Sequence, residues 1–371
     1  MNKHEKVVRE FLSLADVQID GPRPFDIKVN DERFYKRVLG DRELGLGESY
    51  MEGWWQVERL DELVARLLSA DLRSKLKVSP EMVRVILASI IQNRQTVSKS
   101  KRNASHHYDV GNDLYSLMLD KRMIYSCAYW KNAKTLDEAQ DAKLELICQK
   151  LKLQPNMTIL DIGCGWGGFA EYAASKYNVS VVGITPAFEQ VKLAKERTKG
   201  LSVDIRQLDY RDITGKYDRI VSIGMLEHVG PKNYARFFLQ CKEMLKDDGI
   251  MLHHTIGGNR SVNSTDPWMD KYIFPGGVLP SLAQISKAVE KKLVIEDIQN
   301  FGPYYDKTLL AWHKNFITNY EKLSNKYDEI FYRMWEFYLL SSAGLFRSRN
   351  VQLWQIVMRK IEPSETYIAP R

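Results

Sequence analysis

The sequence predicts an α/β protein with a doubly wound sheet domain and a small, mainly helical N-terminal domain. Three observations support this prediction. Short β-rich runs alternate with helical stretches from about residue 106, a glycine loop joins the first run to a helix, and the N-terminal part has apolar residues at helical spacing. Such regular alternation is typical of βαβ crossovers and a parallel sheet.

The N-terminal domain is predicted from helical periodicity. Leu60, Leu63 and Leu67 recur three to four residues apart, and a further helical segment opens at Pro80. Residues 93–105 are polar, carry several lysines and arginines and have no apolar periodicity, which predicts a linker. The predicted boundaries are 1–92 for the N-terminal domain, 93–105 for the linker and 106–371 for the catalytic domain.

The sheet domain is predicted element by element. The β-rich runs are 158–163, 179–184, 201–208, 217–224, 249–257 and, late in the chain, 351–359. The helical stretches between them are 167–177, 187–199 and 231–246, and Gly249 is predicted to end the last of these as a C-cap. The late aromatic helices are predicted to be insertions or to cover the sheet, and they carry Trp312, Phe316, Trp335 and Tyr338.

Composition narrows the class of protein. The 371 residues include 54 Lys and Arg against 47 Asp and Glu, a formal net charge of +7 that favours an anionic partner, either nucleic acid or an acidic membrane surface. No apolar run approaches the roughly 18 residues of a bilayer span, and the N-terminus does not resemble a secretory signal. Four cysteines without a CxxC pair argue against a disulfide framework, a zinc finger or another metal site.

The glycine loop LDIGCGWGG predicts a nucleotide-containing cofactor. Gly163 and Gly165 follow a strand and precede a helix, where the absence of a side chain lets the backbone approach a ligand closely. The spacing of Gly163, Gly165 and Gly168 also satisfies the dinucleotide fingerprint, so the loop alone leaves both cofactors open. Asp161 favours S-adenosylmethionine, because its carboxylate suits a cationic ligand and would repel a pyrophosphate.

The ends of the next two strands add candidate cofactor contacts. A dinucleotide site requires an acid after the second strand, and this chain has Thr185 there, with Gln190 one helical turn later. Thr185 or Gln190 is predicted to hold the ribose hydroxyls instead. Asp209 follows the third strand, where it is placed to accept a hydrogen bond from an adenine amino group.

Candidate catalytic residues follow the fourth and fifth strands. The segment GMLEHVGPKNY lacks the Asn/Asp-Pro-Pro-aromatic loop of enzymes that methylate exocyclic amines of bases. It carries Glu227 and His228 at a strand's C-terminal end, where ligands bind in open α/β sheets. His253 and His254 are adjacent in the fifth strand, so alternation directs them to opposite faces and places one of them in the site.

These motifs together resemble the cyclopropane fatty acid synthases, bacterial enzymes that add a methylene bridge across cis double bonds of membrane phospholipids. The resemblance extends over nearly the whole chain, from FYKRVLGDRELGLGESYMEGWW to VQLWQIV. The motifs that carry it are HHYDVGND, YSCAYW, LDIGCGWGG, DYRD, EHVGPKNY, HTIG, DPWMDKYIFPGG and FGPYYD. LDIGCGWGG alone is shared with related mycolic acid and small-molecule methyltransferases.

The resemblance implies a Rossmann-like class I methyltransferase with two ligands. It implies S-adenosylmethionine bound by Tyr125, Ser126, Gly163, Gly165, Thr185 and Gln190. It also implies a bicarbonate ion, the general base of ring closure, held by Cys127, Glu227, His254, Tyr305 and the backbone of Ile256. The N-terminal domain would assist lipid engagement in a homodimer at the cytoplasmic surface of an anionic inner membrane. The positive charge itself makes the cations of 93–105 and the helix from Pro80 to Ile91 candidates for that contact, with a solvated linker and a helix packed within the domain as the alternatives.

Three alternatives remain open. Methylation of a lipid carbon without ring closure uses the same first step. A nucleic-acid methyltransferase is favoured only by the net charge. A non-catalytic lipid-binding protein is disfavoured by the intact glycine loop and by Glu227.

Overall fold

The computed structural model describes residues 2–70, 110–363 and 365–371. The predicted linker 93–105 and the predicted helix from Pro80 lie outside the described residues. The described residues divide into two compact units, and neither is contiguous in sequence. The first takes its residues from Met1–Gly111, Thr265–Gly276 and Trp312–Asn350, and the second from Asn112–Ser264, Gly277–Ala311 and Val351–Arg371.

The described ranges contain the following helices and strands. The first half contains α1 (Lys3–Ser13), β1 (Lys28–Val29), α2 (Arg33–Met51), β2 (Trp55–Gln56), α3 (Leu60–Ser69), α4 (Asn112–Met118), α5 (Leu136–Lys150), β3 (Thr158–Ile162), α6 (Gly168–Tyr177), β4 (Ser180–Thr185), α7 (Phe188–Arg197) and β5 (Val203–Gln207). The second half contains β6 (Tyr217–Ile223), α8 (Tyr234–Met244), β7 (Leu245–Gly258), α9 (Pro267–Tyr272), α10 (Leu282–Val289), β8 (Leu293–Asn300), α11 (Gly302–Asn319), α12 (Glu329–Arg347) and β9 (Val351–Lys360). Short 3-10 helices occur at Leu226–His228 and Tyr320–Leu323.

The first unit is a helical assembly with an aromatic centre. Trp55 is fully buried, with its ring centroid 5.0 Å from that of Tyr50 and 6.0 Å from that of Phe34. Helix α12 packs against α3, and Arg347 of α12 pairs with the buried Asp61 of α3 at 2.7 Å. The helical periodicity at Leu60 and its neighbours is therefore confirmed as α3.

The second unit is built around a seven-stranded sheet with the order β5-β4-β3-β6-β7-β9-β8 in the described part of the chain. Strands β5, β4, β3, β6 and β7 are parallel to one another, as the alternation predicted. Apolar clusters cover both faces of the sheet: Ile159, Ala173 and Val181 belong to one, and Leu160, Phe237 and Ile356 to the other. The α/β, Rossmann-like prediction is confirmed.

Two details of the sheet correct the sequence prediction. The sheet is mixed rather than wholly parallel, because β9 runs antiparallel to both β7 and β8, and β8 was missed. Gly249 lies within β7 and is not a C-cap, since α8 already ends at Met244. Periodicity reports burial along a segment, whereas strand direction depends on partners far away in sequence.

Helix α12 and the part of α11 from Trp312 onward belong to the first unit. Trp312, Phe316, Trp335 and Tyr338 are buried there, and all lie within Trp312–Asn350. The predicted contiguous division into 1–92 and 106–371 therefore differs from the observed grouping, in which distant segments complete the helical unit. In the described ranges, no helix combines the length and hydrophobicity that a bilayer span requires.

Candidate active site

A cavity of about 350 Å³ opens at the carboxyl ends of β3, β4 and β6 in the second unit. This is where ligands bind in open α/β sheets. The cavity brings together seven residues that the sequence predicted as cofactor contacts: Tyr125, Ser126, Asp161, Gly163, Gly165, Thr185 and Gln190.

The glycine loop forms one wall of the cavity. Gly163 and Gly165 have φ values of +83° and +53°, in the left-handed region where a side chain is strained. A Cβ at Gly165 would meet no atom within 4 Å. The backbone amides of Gly163 and Cys164 both donate to the carbonyl of Ile184, each at 3.0 Å, which ties the loop to the end of β4.

Asp161 supplies a buried carboxylate at the end of β3. Its side chain is 1% exposed, and Oδ2 has no hydrogen-bond partner among the described residues. Burial raises the pKa of Asp161 to about 7, and the nearby ammonium of Lys143 opposes that rise. The orphaned oxygen is available to a cationic group in the cavity, which fits the ammonium end of S-adenosylmethionine.

Helix α5 places polar side chains against the segment at Tyr125 and Ser126. Lys143 donates from Nζ to Ser126 Oγ at 3.0 Å, and Gln140 donates from Nε2 to the Ser126 carbonyl at 2.9 Å. The ring of Tyr125 meets that of Tyr115 edge to face at 5.1 Å. This segment is therefore held rigidly at the cavity wall by side chains that the sequence prediction did not identify.

The predicted ribose and adenine contacts lie in different surroundings. Thr185 donates from Oγ1 to Gln190 Oε1 at 2.8 Å, and both side chains line the cavity. Asp209 is not among the lining residues, although its neighbours Leu208 and Tyr210 are. Its carboxylate is held by Arg211 through two bonds of 2.8 Å, which lower the pKa of Asp209. The role of Asp209 stays a prediction.

Glu227 is bound to the backbone of β7. It lies in the 3-10 helix after β6, where its Oε1 accepts from the amide of Ile256 at 2.7 Å. Its Oε2 is buried without a hydrogen-bond partner in the described part of the chain. Burial raises the pKa of Glu227 to about 7, so this carboxyl can carry a proton near neutrality and donate it to an oxygen ligand.

His254 faces the same side of β7 as Ile256, two residues further along the strand. Its Nδ1 lies 3.4 Å from the side-chain amide nitrogen of Gln355, and the donor in this contact depends on the ring tautomer. Nε2 is buried and has no partner among the described residues. Burial and the charges of Lys143 and Lys150 hold the pKa of His254 well below its ordinary value, so the ring is a neutral donor.

The alternation expected for the two histidines is observed. The ring of His253 lies 5.9 Å from Phe237 and 5.6 Å from Phe238, in the apolar layer under α8. The ring of His254 lies 5.9 Å from Phe301, on the opposite face. His253 is therefore the packed member of the pair.

Cys127 and Tyr305 belong to the same unit as Glu227 and His254. Cys127 Sγ lies 3.9 Å from Thr308 Oγ1 and 4.0 Å from the carbonyl of Phe301, the residue that also contacts His254. Burial raises the pKa of Cys127, which keeps it a thiol. Tyr305 is buried in α11, one turn before Thr308. No group of three or more His, Cys, Asp and Glu side chains that could hold a metal ion occurs in the described ranges.

Comparison with known proteins decides the family. The model of the mycolic acid cyclopropane synthetase family matches residues 95–356. The chain belongs to this family. A relative from Escherichia coli (strain K12), named cyclopropane-fatty-acyl-phospholipid synthase, is 49% identical over 355 residues, covering 96% of this chain and 93% of that protein. A probable fatty acid methyltransferase from Pseudomonas putida is 35% identical over 359 residues, covering 92% and 88%.

A solved structure of the cyclopropane synthetase family gives the same fold. Mycolic acid cyclopropane synthase CmaA1, complexed with SAH and CTAB, matches with a TM-score of 0.63 and 33% identity, covering 70% of this chain and 98% of that one. The resemblance to cyclopropane fatty acid synthases is thus confirmed, and the chain is an S-adenosylmethionine-dependent methyltransferase of the cyclopropane synthetase family.

Sequence reasoning missed Lys143, Gln140, Thr308 and Gln355 around the site. One of them left a signal: Lys143 shares a helical face with Ala139 and Ile147, which are fully buried. A lysine among apolar residues on the core side of a helix indicates a buried charge. Gln355 and Thr308 left none, because their contacts to His254 and Trp130 come from segments far away in sequence.

Proposed function

We propose that this enzyme transfers a methylene group from S-adenosylmethionine to the cis double bond of unsaturated acyl chains in membrane phospholipids, forming a cyclopropane ring, with bound bicarbonate as the general base. The observation that carries the proposal is the pair of buried, partnerless polar atoms, Glu227 Oε2 and His254 Nε2, on neighbouring elements of the catalytic unit. The identity of 49% to the Escherichia coli relative supports the substrate class.

The cavity residues suit the proposed cofactor. Asp161 offers an orphaned carboxylate oxygen to a cationic group, and Gly165 leaves room for a ligand against the backbone. When bound, S-adenosylmethionine supplies an electrophilic methyl group. An isolated alkene is a weak nucleophile, so these residues contribute mainly by fixing the position of the methyl donor relative to the double bond.

Ring closure requires a general base, which the residues of the proposed bicarbonate site would hold. Methyl transfer to an alkene leaves a carbocation on the acyl chain, and the ring closes when the transferred methyl group loses a proton to a base. Glu227 can carry a proton near neutrality and the neutral ring of His254 has one N–H donor, so both can hold a small oxyanion such as bicarbonate without becoming the base themselves. The proposed bicarbonate site also includes Cys127, Tyr305 and the backbone of Ile256.

The test is incubation with S-adenosylmethionine and liposomes containing a cis-unsaturated phospholipid. We expect lipids that gain one CH2, with loss of olefinic proton signals and appearance of ring methylene signals. Removing bicarbonate from a degassed buffer should slow the reaction, and adding it back should restore the rate. Absence of lipid modification by an enzyme that binds the cofactor would contradict the proposal.

A second candidate is methylation of a fatty acyl carbon without ring closure. The relative from Pseudomonas putida, named a probable fatty acid methyltransferase, favours it. The same liposome assay separates the two, because a methyl-branched product gives a new methyl signal and no ring methylene signals.

The proposal extends to the surroundings of the enzyme. A net charge of +7 supports reversible contact with an anionic phospholipid surface, and each basic residue near such a surface contributes about 1 kcal/mol. The cytoplasmic, inner-membrane location and the homodimer rest on the resemblance to the cyclopropane fatty acid synthases. Sedimentation of the purified enzyme with and without vesicles tests both.

A further inference from the structure

Lys143 is a buried cation at the wall of the cofactor cavity. It lies in the middle of α5, its side chain is 0% exposed, and it is one of the lining residues of the cavity. A fully buried lysine is rare unless an anion compensates its charge. An anion that compensates the charge of Lys143 is therefore expected nearby.

The protein itself supplies little compensation. An ammonium has three donors, and Ser126 Oγ at 3.0 Å is the acceptor for one of them. Among the described residues, no carboxylate lies within ion-pair distance of Lys143, and Asp161, Asp120 and Cys127 act on it only electrostatically from further away. Lys150, seven residues later on α5 and equally buried, has its ammonium 3.6 Å from Asp297.

Asp161 presents the opposite charge to the same cavity. It also lines the cavity, and its Oδ2 is buried without a partner among the described residues. A buried ammonium and a buried carboxyl group, which can ionise against a cationic ligand because its pKa is about 7, border one space without pairing with each other. That space is electrostatically complementary to a zwitterion, whose ammonium and carboxylate groups would meet Asp161 and Lys143.

We propose that Lys143 binds the α-carboxylate of S-adenosylmethionine, with Asp161 facing the α-ammonium of the same molecule. This inference rests on the cofactor assigned under the proposed function. It adds a binding residue from α5 to the strand ends and loops that sequence motifs identify. Ser126 Oγ, which Lys143 already contacts, lies at the same end of the ligand.

The charge state of Lys143 agrees with this role. Burial lowers the pKa of Lys143 to about 8, and the negative charges of Asp120 and Asp161 oppose the fall. The side chain is thus mainly protonated at pH 7. In a site closed to water, the attraction between an ammonium and a carboxylate is stronger than at the surface.

The experiment compares three ligands by isothermal titration calorimetry: S-adenosylmethionine, S-adenosylhomocysteine and decarboxylated S-adenosylmethionine. The last retains the sulfonium and the amine and lacks only the carboxylate. The proteins are the wild type, Lys143→Met, Lys143→Gln and the control Lys150→Met, which removes the other buried lysine of α5. Circular dichroism checks that each variant is folded.

We expect Lys143→Met and Lys143→Gln to weaken both carboxylate-bearing ligands about 10- to 100-fold, the range for a hydrogen bond to a charged group. Decarboxylated S-adenosylmethionine should bind the Lys143 variants and the wild type within about threefold of each other. Lys150→Met should show the same preference as the wild type for the carboxylate-bearing ligands over decarboxylated S-adenosylmethionine.

Equal losses for all three ligands would mean that Lys143 only supports Ser126, and this result overturns the inference. Unchanged binding of all three overturns it as well. If neither Lys143 variant folds, the wild type decides, because equal affinity for the carboxylated and decarboxylated ligands contradicts the proposal. Failure of the wild type to bind S-adenosylmethionine would instead overturn the proposed function.

Discussion

Neighbouring histidines in β7 acquire different roles because a strand directs successive side chains to opposite faces. His254 contacts Gln355 through Nδ1, and its Nε2 is buried without a partner in the described part of the chain. His253 lies among Phe237 and Phe238, with both ring nitrogens buried and without partners in the described part of the chain. His254 is thus the member of the pair that is proposed for the site, whereas His253 packs in the apolar layer under α8.

The burial of His253 predicts a pH-dependent loss of stability. Burial lowers the pKa of His253 to about 3, from about 6.5 in the unfolded chain. The stability contributed by the neutral ring is therefore complete above pH 6.5 and is lost as the pH falls through 6.5 toward 3. We expect the free energy of unfolding of His253→Leu, measured with urea, to rise relative to that of the wild type by about 2 kcal/mol when the pH is lowered from 7.5 to 5.

The comparison at pH 7.5 controls for packing in this experiment, because the His253 ring of the wild type is then neutral in both the folded and the unfolded protein. A difference between His253→Leu and wild type that is the same at pH 7.5 and pH 5 would show that His253 protonates freely in the folded protein.

Glu227 offers a prediction at the candidate active site. Glu227→Gln keeps an oxygen that can accept from the Ile256 amide and removes the titrating proton. We expect turnover on liposomes to fall about 100-fold or more, because the variant would no longer position bicarbonate as the general base, with affinity for S-adenosylmethionine nearly unchanged.

The matched control for Glu227 is Glu243→Gln, which neutralises an exposed acid of α8 and should retain full turnover. Cofactor affinity that declines in step with turnover in Glu227→Gln would place Glu227 in cofactor binding and contradict its assigned role.

At the level of elements, β7 is the strand on which the candidate site is assembled. It pairs with β6 on one side and β9 on the other, and its amide at Ile256 fixes Glu227. Near the end of β7, the absence of a side chain at Gly257 allows neighbouring groups to pack closely. A Cβ at that position would lie 1.9 Å from the Trp354 ring and 2.6 Å from the carbonyl of Pro280.

Gly257→Ala is therefore expected to destabilise the enzyme by about 1–3 kcal/mol through overpacking, as measured by denaturant unfolding. Gly258→Ala is the matched control on the next residue. Its Cβ would approach no atom closer than 3.6 Å, so it should change the free energy of unfolding by less than about 0.5 kcal/mol. Equal effects of the two substitutions would contradict the packing argument.

At the level of the whole molecule, the excess of positive charge predicts how the enzyme meets its substrate. With a net charge of +7, binding to vesicles that contain phosphatidylglycerol should weaken as NaCl rises from about 50 mM to about 500 mM, because salt screens exposed charges. Neutral phosphatidylcholine vesicles serve as the control and should bind weakly at both concentrations. Salt-independent binding to both vesicles would indicate apolar insertion instead.

Much of the catalytic unit could be predicted from local sequence. The runs at 158–163 and 217–224 correspond to β3 and β6 to within one residue, because apolar patterning and glycine loops are local signals. Strand β8 was missed, and among the described strands it pairs with β9 alone. The grouping of Thr265–Gly276 and Trp312–Asn350 with the N-terminal residues was missed for the same reason, since long-range packing leaves no local pattern.

The sequence by itself determined the α/β class, the cofactor loop at Gly163 and Gly165 and the family to which the enzyme belongs. Only the tertiary structure decided which histidine packs in the apolar layer under α8, that Glu227 is anchored by Ile256, and that Lys143 is a buried cation at the cavity. The physical reason is that charge state and orientation depend on burial and on partners supplied by distant segments. A lysine in a helical pattern acquires its chemistry only when the rest of the fold excludes water around it.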